Sequence, residues 1–197
     1  MDVIHLFKYF NTDQYTSKTL EQIIPYLPSE RKNRLVRYNK ESDRKNCAIG
    51  YLLLTSGLNR IFKIQSPRLS YSDKGKPFLT DYPDIHFNIS HCPKGCICGI
   101  SSSTIGVDIQ DIRPFSPEVA NRCCSENELE LLKKSKKPAD EFTKIWTMKE
   151  SYLKMTGEGI TGDLRIIDTT NLKNEILTWT ENDCWISISC DKKITRE

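Results

Sequence analysis

Residues 86–110, HFNISHCPKGCICGISSSTIGVDIQ, decide how this chain folds. The runs IHFNIS, CICGIS and IGVDIQ are short and apolar and are separated by turn residues, which predicts three strands with alternate residues sharing a face. The stretch Ser101 to Thr104 is a polar joint near the middle of the chain. The β-like texture begins after Pro67, with LSYS and then DKGKP ahead of these three runs. Upstream, Val3 to Tyr9 reads as a strand and residues 17–27 as a short helix. From Glu30 to about Phe62 only Gly50 and Gly57 interrupt one long helical pattern, with Ser29 placed as its N-cap after Pro28. Downstream, helices are expected at 117–124, at 126–134 behind Ser125, and at 138–156, ending near Gly157 and Gly159. Short strands should follow between Leu164 and Cys190, with Trp179 and Trp185 for a core. The fold class expected is therefore α+β: two similar α+β halves, 1–102 and 103–197, sharing one core.

At 197 residues the chain is long enough to bury a real core without covalent staples. A hydrophobic fraction of 38% and a charged fraction of 28% suit a globular protein rather than a disordered or fibrous one. No apolar run approaches the roughly 20 residues that span a bilayer, and MDVIHLFKYFNTD does not read as an export signal, so a cytoplasmic, non-membrane protein is expected. The net charge of +3 is too small to argue for nucleic acid. The basic residues are concentrated, however, in Arg31, Lys32, Arg34, Arg37, Lys40, Arg44 and Lys45, on the polar part of the long helical pattern. They form either a solvated face or a surface for an anion.

The eight cysteines include Cys92, Cys96 and Cys98, which with His91 invite a zinc reading. The spacing is not a paired CxxC framework, and CICGIS reads well as an apolar strand. Buried thiols are the expectation.

Three segments could carry chemistry. In GVDIQ, Val107 and Ile109 should point inward, leaving Asp108 and Gln110 together on the other face as oxygen donors; an edge strand with a solvated face has the same pattern. In WTMKESYLK, Trp146, Glu150 and Lys154 share one helix face. Glu150 before Lys154 is an ordinary helix-stabilising pair, but Glu150 could also join Asp108 around a hard cation such as Mg²⁺. In HFNISH, Asn88 and Ser90 share a strand face with His91 at its end. With the preceding KGKP, these residues supply a hydroxyl, an imidazole and a lysine that can contact phosphate.

The ordered set KGKP, FNISH, GVDIQ and WTMKESYLK resembles the Sfp-type 4′-phosphopantetheinyl transferases over about residues 28–157. The resemblance implies a pseudodimer of two α+β halves working as a monomer, with coenzyme A in the cleft between them. It implies transfer of the 4′-phosphopantetheine arm to a serine of an acyl, peptidyl or aryl carrier domain, with release of adenosine 3′,5′-bisphosphate. Asp108, Gln110 and Glu150 match the positions that hold Mg²⁺, for which Mn²⁺ could substitute. Glu150 and Lys154 match the catalytic residues. Arg31, Arg34, Arg44, Lys45, Lys76, Pro77, Ser90, His91 and Lys154 fall at or near coenzyme A contacts. Gln110 departs from the glutamate of many relatives, which removes one negative charge from the metal site. The alternatives are a coenzyme A-binding module without catalysis and a zinc-stapled interaction protein.

Overall fold

A computed structural model describes residues 3–10, 16–159, 162–172 and 175–192. Its elements run β1 (His5–Phe10), α1 (Ser17–Ile23), α2 (Ser29–Leu35), α3 (Glu41–Phe62), β2 (Leu69–Tyr71), β3 (Pro77–Leu79), β4 (His86–Cys92), β5 (Gly95–Ser101), β6 (Ile105–Asp111), α4 (Pro117–Cys123), α5 (Glu126–Lys134), α6 (Pro138–Thr156), β7 (Ile176–Glu181) and β8 (Cys184–Cys190). Two three-stranded antiparallel sheets result, in the orders β1-β5-β4 and β6-β8-β7, and β2 and β3 pair separately. In each half a first strand precedes a long helix and two paired strands follow it. The same connectivity and the same sheet order therefore occur twice, in agreement with two similar α+β halves.

Strand alternation assigns the faces. Cys96, Cys98 and Ile100 of β5 pack with Leu54 and Leu58 of α3, while Ile97 turns the other way. Ile105, Val107 and Ile109 of β6 and Cys184, Ile186 and Ile188 of β8 meet Ile97, Leu6 and Phe10 across the space between the sheets. The opposite face of the second sheet carries Asp108, Ser187 and Ser189 toward α6. The order is helix, sheet, sheet, helix. A third apolar cluster, built on Ala120, Leu132 and Ile145, joins α4, α5 and α6. Trp146 packs there with Phe142, the ring centroids 6.3 Å apart.

The helix ends follow their local chemistry. Ser125 and Glu128 form a reciprocal capping box on α5. Gly157 ends α6 with φ 74°, the left-handed conformation that glycine adopts without penalty. The single long helix expected over 30–62 is instead two. Leu35 is the last buried residue of α2, Val36 is 78% exposed, and Lys40 is extended with ψ 135°. No residue between 36 and 40 is buried to reward continuing the helix, and Arg44 Nε holds the turn by donating to the Tyr38 carbonyl at 2.9 Å. Ser29 opens α2 rather than capping it, because the extended Pro28 occupies the cap position. Pro25 likewise ends α1 early, and a single 3₁₀ turn covers Ile24–Tyr26.

The zinc reading fails on strand alternation. Cys96 and Cys98 lie under α3, whereas Cys92 lies between the two sheets. Among the described residues no three His, Cys, Asp or Glu side chains converge as a metal-holding group, and no helix is long and apolar enough to cross a membrane.

Candidate active site

β4 and β6 are the edges at which the two sheets meet. No backbone ladder joins them. Instead the side chains that alternate on one face of β4 reach the β6 backbone: Asn88 Oδ1 accepts from the Val107 N–H at 2.9 Å, and Ser90 Oγ accepts from the Ile109 N–H at 3.3 Å. The spacing in FNIS thus matches the spacing of free amides on the edge strand, and it sets Asp108 between the two bonded residues.

Around Asp108 the predicted residues converge. Ser90 Oγ donates to Asp108 Oδ1 at 2.7 Å, and Lys154 Nζ lies 2.5 Å from the same oxygen and 2.9 Å from Ser90 Oγ. Lys154 thus reaches across to β6, and Asp108 takes the place of Glu150 in the ordinary helical pair. Asp108 is 5% exposed, and its Oδ2 is buried with no hydrogen-bond partner among the described residues. A buried carboxylate oxygen without a donor carries a desolvation cost that a cation would relieve. Burial pushes the half-buried Glu150 carboxyl up; the Lys154 charge opposes this and the Asp108 charge adds to it. Two carboxylates, one with an open oxygen, form a hard oxygen donor set that suits Mg²⁺, which takes few protein ligands and completes its shell with phosphate and water.

Gln110 is placed differently. Assigned with its amide oxygen toward Arg113, it accepts from Nε at 2.8 Å and Nη2 at 3.1 Å. Its oxygen is therefore engaged by a guanidinium, which also lies 3.7 Å from Asp111 Oδ1.

The glycine of GVDIQ explains how α6 comes so close. A Cβ at Gly106 would lie 1.9 Å from the Ser151 carbonyl oxygen and 2.3 Å from the Met155 nitrogen, so the α6 backbone rests directly on β6 at this point. Beside it, Ser151 Oγ lies 2.8 Å from Ser189 Oγ, and Ser187 Oγ lies 3.0 Å from Thr147 Oγ1. Lys149, fully buried, pairs with Glu128 at 2.7 Å and donates to the Leu164 and Ile167 carbonyls at 2.8 and 2.5 Å. These contacts fix the rotation of α6, and with it the side of the helix that carries Glu150 and Lys154.

The remaining predicted residues are spread over three cavities. His91 and Lys45 line an open cavity of about 570 Å³ with Lys40, Asn46, Cys92 and Arg113. Asn46 Nδ2 lies 3.3 Å from His91 Nδ1; the imidazole remains exposed to solvent, and desolvation by its neighbours, aided by the Lys154 charge, draws its pKa below the ordinary value. Arg34 stacks over the Tyr71 ring at 4.7 Å and lines a second cavity with Glu30, Arg37 and Tyr38. Arg31 is buried over the Tyr51 ring at 5.0 Å, and its Nε has no partner among the described residues. Lys76 and Pro77 line a third cavity with Phe78 and Tyr82; Lys76 Nζ donates to the Met155 carbonyl at 2.8 Å, tying the β2–β3 pair to the end of α6. Arg44 is diverted to the Tyr38 carbonyl. Reading the motifs for charge alone misses Asn46, Gly106, Lys149 and Arg113. A glycine inside an otherwise apolar strand is the one sequence signal that marks a close backbone approach.

Residues 104–191 match the 4′-phosphopantetheinyl transferase superfamily, and residues 14–104 match the 4′-phosphopantetheinyl transferase N-terminal family. The chain belongs to the 4′-phosphopantetheinyl transferases. It is 35% identical over 144 residues to the 4′-phosphopantetheinyl transferase Sfp of Bacillus subtilis strain 168, an alignment covering 71% of this chain and 64% of that protein. It is 30% identical over 169 residues to the 4′-phosphopantetheinyl transferase HetI of Nostoc, covering 81% and 70%. A Saccharomyces cerevisiae L-aminoadipate-semialdehyde dehydrogenase-phosphopantetheinyl transferase is 27% identical over 164 residues, covering 76% and 60%. The chain thus spans somewhat under two thirds of the length of the first of these.

Proposed function

We propose that this chain transfers the 4′-phosphopantetheine arm of coenzyme A to a serine hydroxyl of an acyl, peptidyl or aryl carrier protein, releasing adenosine 3′,5′-bisphosphate. The observation that carries the reading is the buried Asp108 with its unpartnered Oδ2, in line with Ser90 and Lys154 and facing Glu150, where the two halves meet. Residues 1–102 supply the nucleotide grip and residues 103–197 the metal site and the catalytic helix.

Asp108 and Glu150 would hold Mg²⁺, or Mn²⁺ in its place, with Gln110 contributing only if it releases Arg113. Bound there, the ion supplies neutralisation of the pyrophosphate charge. Glu150 takes the proton of the carrier serine, for which burial and the Asp108 charge raise its basicity. Lys154 meets the charge that develops on the phosphate oxygens as the pyrophosphate bond breaks. His91, exposed at the end of β4, offers its imidazole to a phosphate oxygen. Arg34, on the second cavity, is assigned to the nucleotide phosphate with the buried Arg31 beside it, Lys45, Lys76 and Pro77 line the other two cavities, and Ser90 is held against Asp108. The protein works as a cytoplasmic monomer, because both halves of the cleft belong to one chain.

The test mixes the protein with coenzyme A, Mg²⁺ and an apo carrier domain and weighs the carrier. A gain of one phosphopantetheine arm, abolished by EDTA and by Glu150→Ala, supports the reading. Coenzyme A binding without any gain across acyl, peptidyl and aryl carriers supports the non-catalytic module, a reading favoured by the engagement of Gln110 with Arg113.

A further inference from the structure

Cys92 closes β4 immediately after His91, and Cys184 opens β8 opposite Asp111 of β6. Their sulfurs lie 3.7 Å apart in the core between the sheets, one from each half of the chain. Cys92, 3% exposed, lines the open cavity of about 570 Å³ that holds His91 and Arg113, so of the two residues it is the one on the cavity side. The two thiols share a hydrogen bond that either can donate, and this contact together with the backbone N–H groups of Lys94 and Gly95 draws the Cys92 thiol down. Cys184, fully buried behind it, is held well above the ordinary thiol value by the same contact and by burial. The nearby charges are Asp111 and Lys94. The pair thus has the two parts a reactive dithiol needs: one thiol on the cavity side, and a second thiol behind it in contact.

We propose that Cys92 and Cys184 are a peroxide-reactive dithiol that closes to a disulfide linking the two halves beside the active site. The Cys92 thiolate attacks one oxygen of hydrogen peroxide; the O–O bond breaks, and hydroxide leaves and takes a proton to become water. The Cys92 sulfenic acid is then attacked by the Cys184 sulfur; the S–S bond forms, the S–O bond breaks, and the departing hydroxide carries off the Cys184 proton as a second water. Two thiols are oxidised by two electrons and one peroxide is reduced. The sulfurs need to approach only from 3.7 Å to about 2.0 Å, the length of the bond they form. The link ties the strand bearing Ser90 and His91 to the sheet bearing Asp108.

The experiment treats the full-length protein with hydrogen peroxide, alkylates remaining thiols, and maps the unreduced digest by mass spectrometry. The expected product is a Cys92–Cys184 linked peptide, abolished by dithiothreitol. In Cys184→Ala, Cys92 should accumulate instead as a sulfenic acid trapped by dimedone; in Cys92→Ala, Cys184 should stay alkylatable. The wild-type map needs neither variant. Oxidation confined to Cys47, Cys123 or Cys124, with Cys92 and Cys184 both still alkylated, would overturn the proposal. The map is independent of transfer activity, so its failure and that of the transferase reading are separate results.

Discussion

α3 lies on the first sheet through Leu54, Leu58, Cys96, Cys98 and Ile100, a contact of carbon and sulfur with no exposure. α6 lies on the second sheet through Thr147, Ser151, Ser187 and Ser189, which are just as buried but hydroxylic. Apolar burial is not directional, so it holds α3 down without specifying its rotation closely. Hydroxyl contacts are directional, so they fix the turn of α6 about its axis. The two halves share a topology, and the one whose helix is oriented by hydrogen bonds carries Glu150 and Lys154. The glycines repeat the contrast. A Cβ at Gly57 of α3 would meet side-chain atoms of Ile100 and Phe7 at 2.6 Å, which can shift, whereas one at Gly106 would meet backbone at 1.9 Å.

The largest effect expected from this contrast is that of Gly106→Ala. It must lift the α6 backbone off β6, so it should cost about 4 kcal/mol or more by urea unfolding and abolish transfer, while Gly57→Ala should cost about half as much. Equal costs would mean that the two helix contacts are mechanically alike. Next comes Lys149→Met, which leaves Glu128 buried without its cation. A loss of about 3–4 kcal/mol is expected, because removing one partner of a buried pair costs more than the pair contributes. Glu128 also accepts from the Thr169 N–H at 2.9 Å and Oγ1 at 2.8 Å, so amide exchange should rise around 164–169 before the rest of the chain opens. Third, Leu58→Ala should cost about 3 kcal/mol through its cavity, and Ser187→Ala only about 1 kcal/mol. The ranking should invert in transfer rate, with Ser187→Ala the slower enzyme, because α6 and not α3 carries the site. If Leu58→Ala is the slower of the two, orientation of α6 by hydroxyls is not what the second half contributes.

The sequence showed β1, β4, β5 and β6, the three C-terminal helices and the alternation of GVDIQ, because period-two patterns and capping residues such as Ser125 are local signals; it did not show β3, and Leu164–Ile166, expected to begin the last strands, forms a 3₁₀ turn. It showed the site as a set of charges and hydroxyls in order. It did not show the break between α2 and α3, since nothing in residues 36–40 forbids a helix and only the absence of anything to bury ends it. Nor did it show that Asn88 and Ser90 bond to amides of β6, that Lys76 caps α6, or that Arg113 holds Gln110. Each of these depends on which edges and helix ends the fold brings together, which is a long-range fact. Buried thiols are the expectation for Cys92, Cys96 and Cys98 and are what the fold shows; the zinc alternative fails because residues close in sequence are divided by the strand between two faces.

The smallest effect separates the halves by charge. Both long helices carry a half-buried carboxylate, Asp43 on α3 and Glu150 on α6, and it is Glu150 that is raised above the ordinary 4.5, by burial, with Lys154 opposing and Asp108 adding. In the window just above 4.5 the native state therefore keeps a proton that the unfolded chain has released. Stability falls as pH rises through that window, since the native state binds more protons there. Glu41, Asp81, Asp163 and Glu181 are shifted down and contribute the opposite slope, so the wild-type curve alone does not isolate Glu150. The difference between Glu150→Gln and wild type does. Without added metal, the two melting temperatures should differ least near about pH 4, and the variant should gain on wild type as pH rises toward about 7. A difference that stays constant with pH would show that Glu150 titrates as an ordinary exposed carboxylate, and the second half would then lose the acid–base character that distinguishes it from the first.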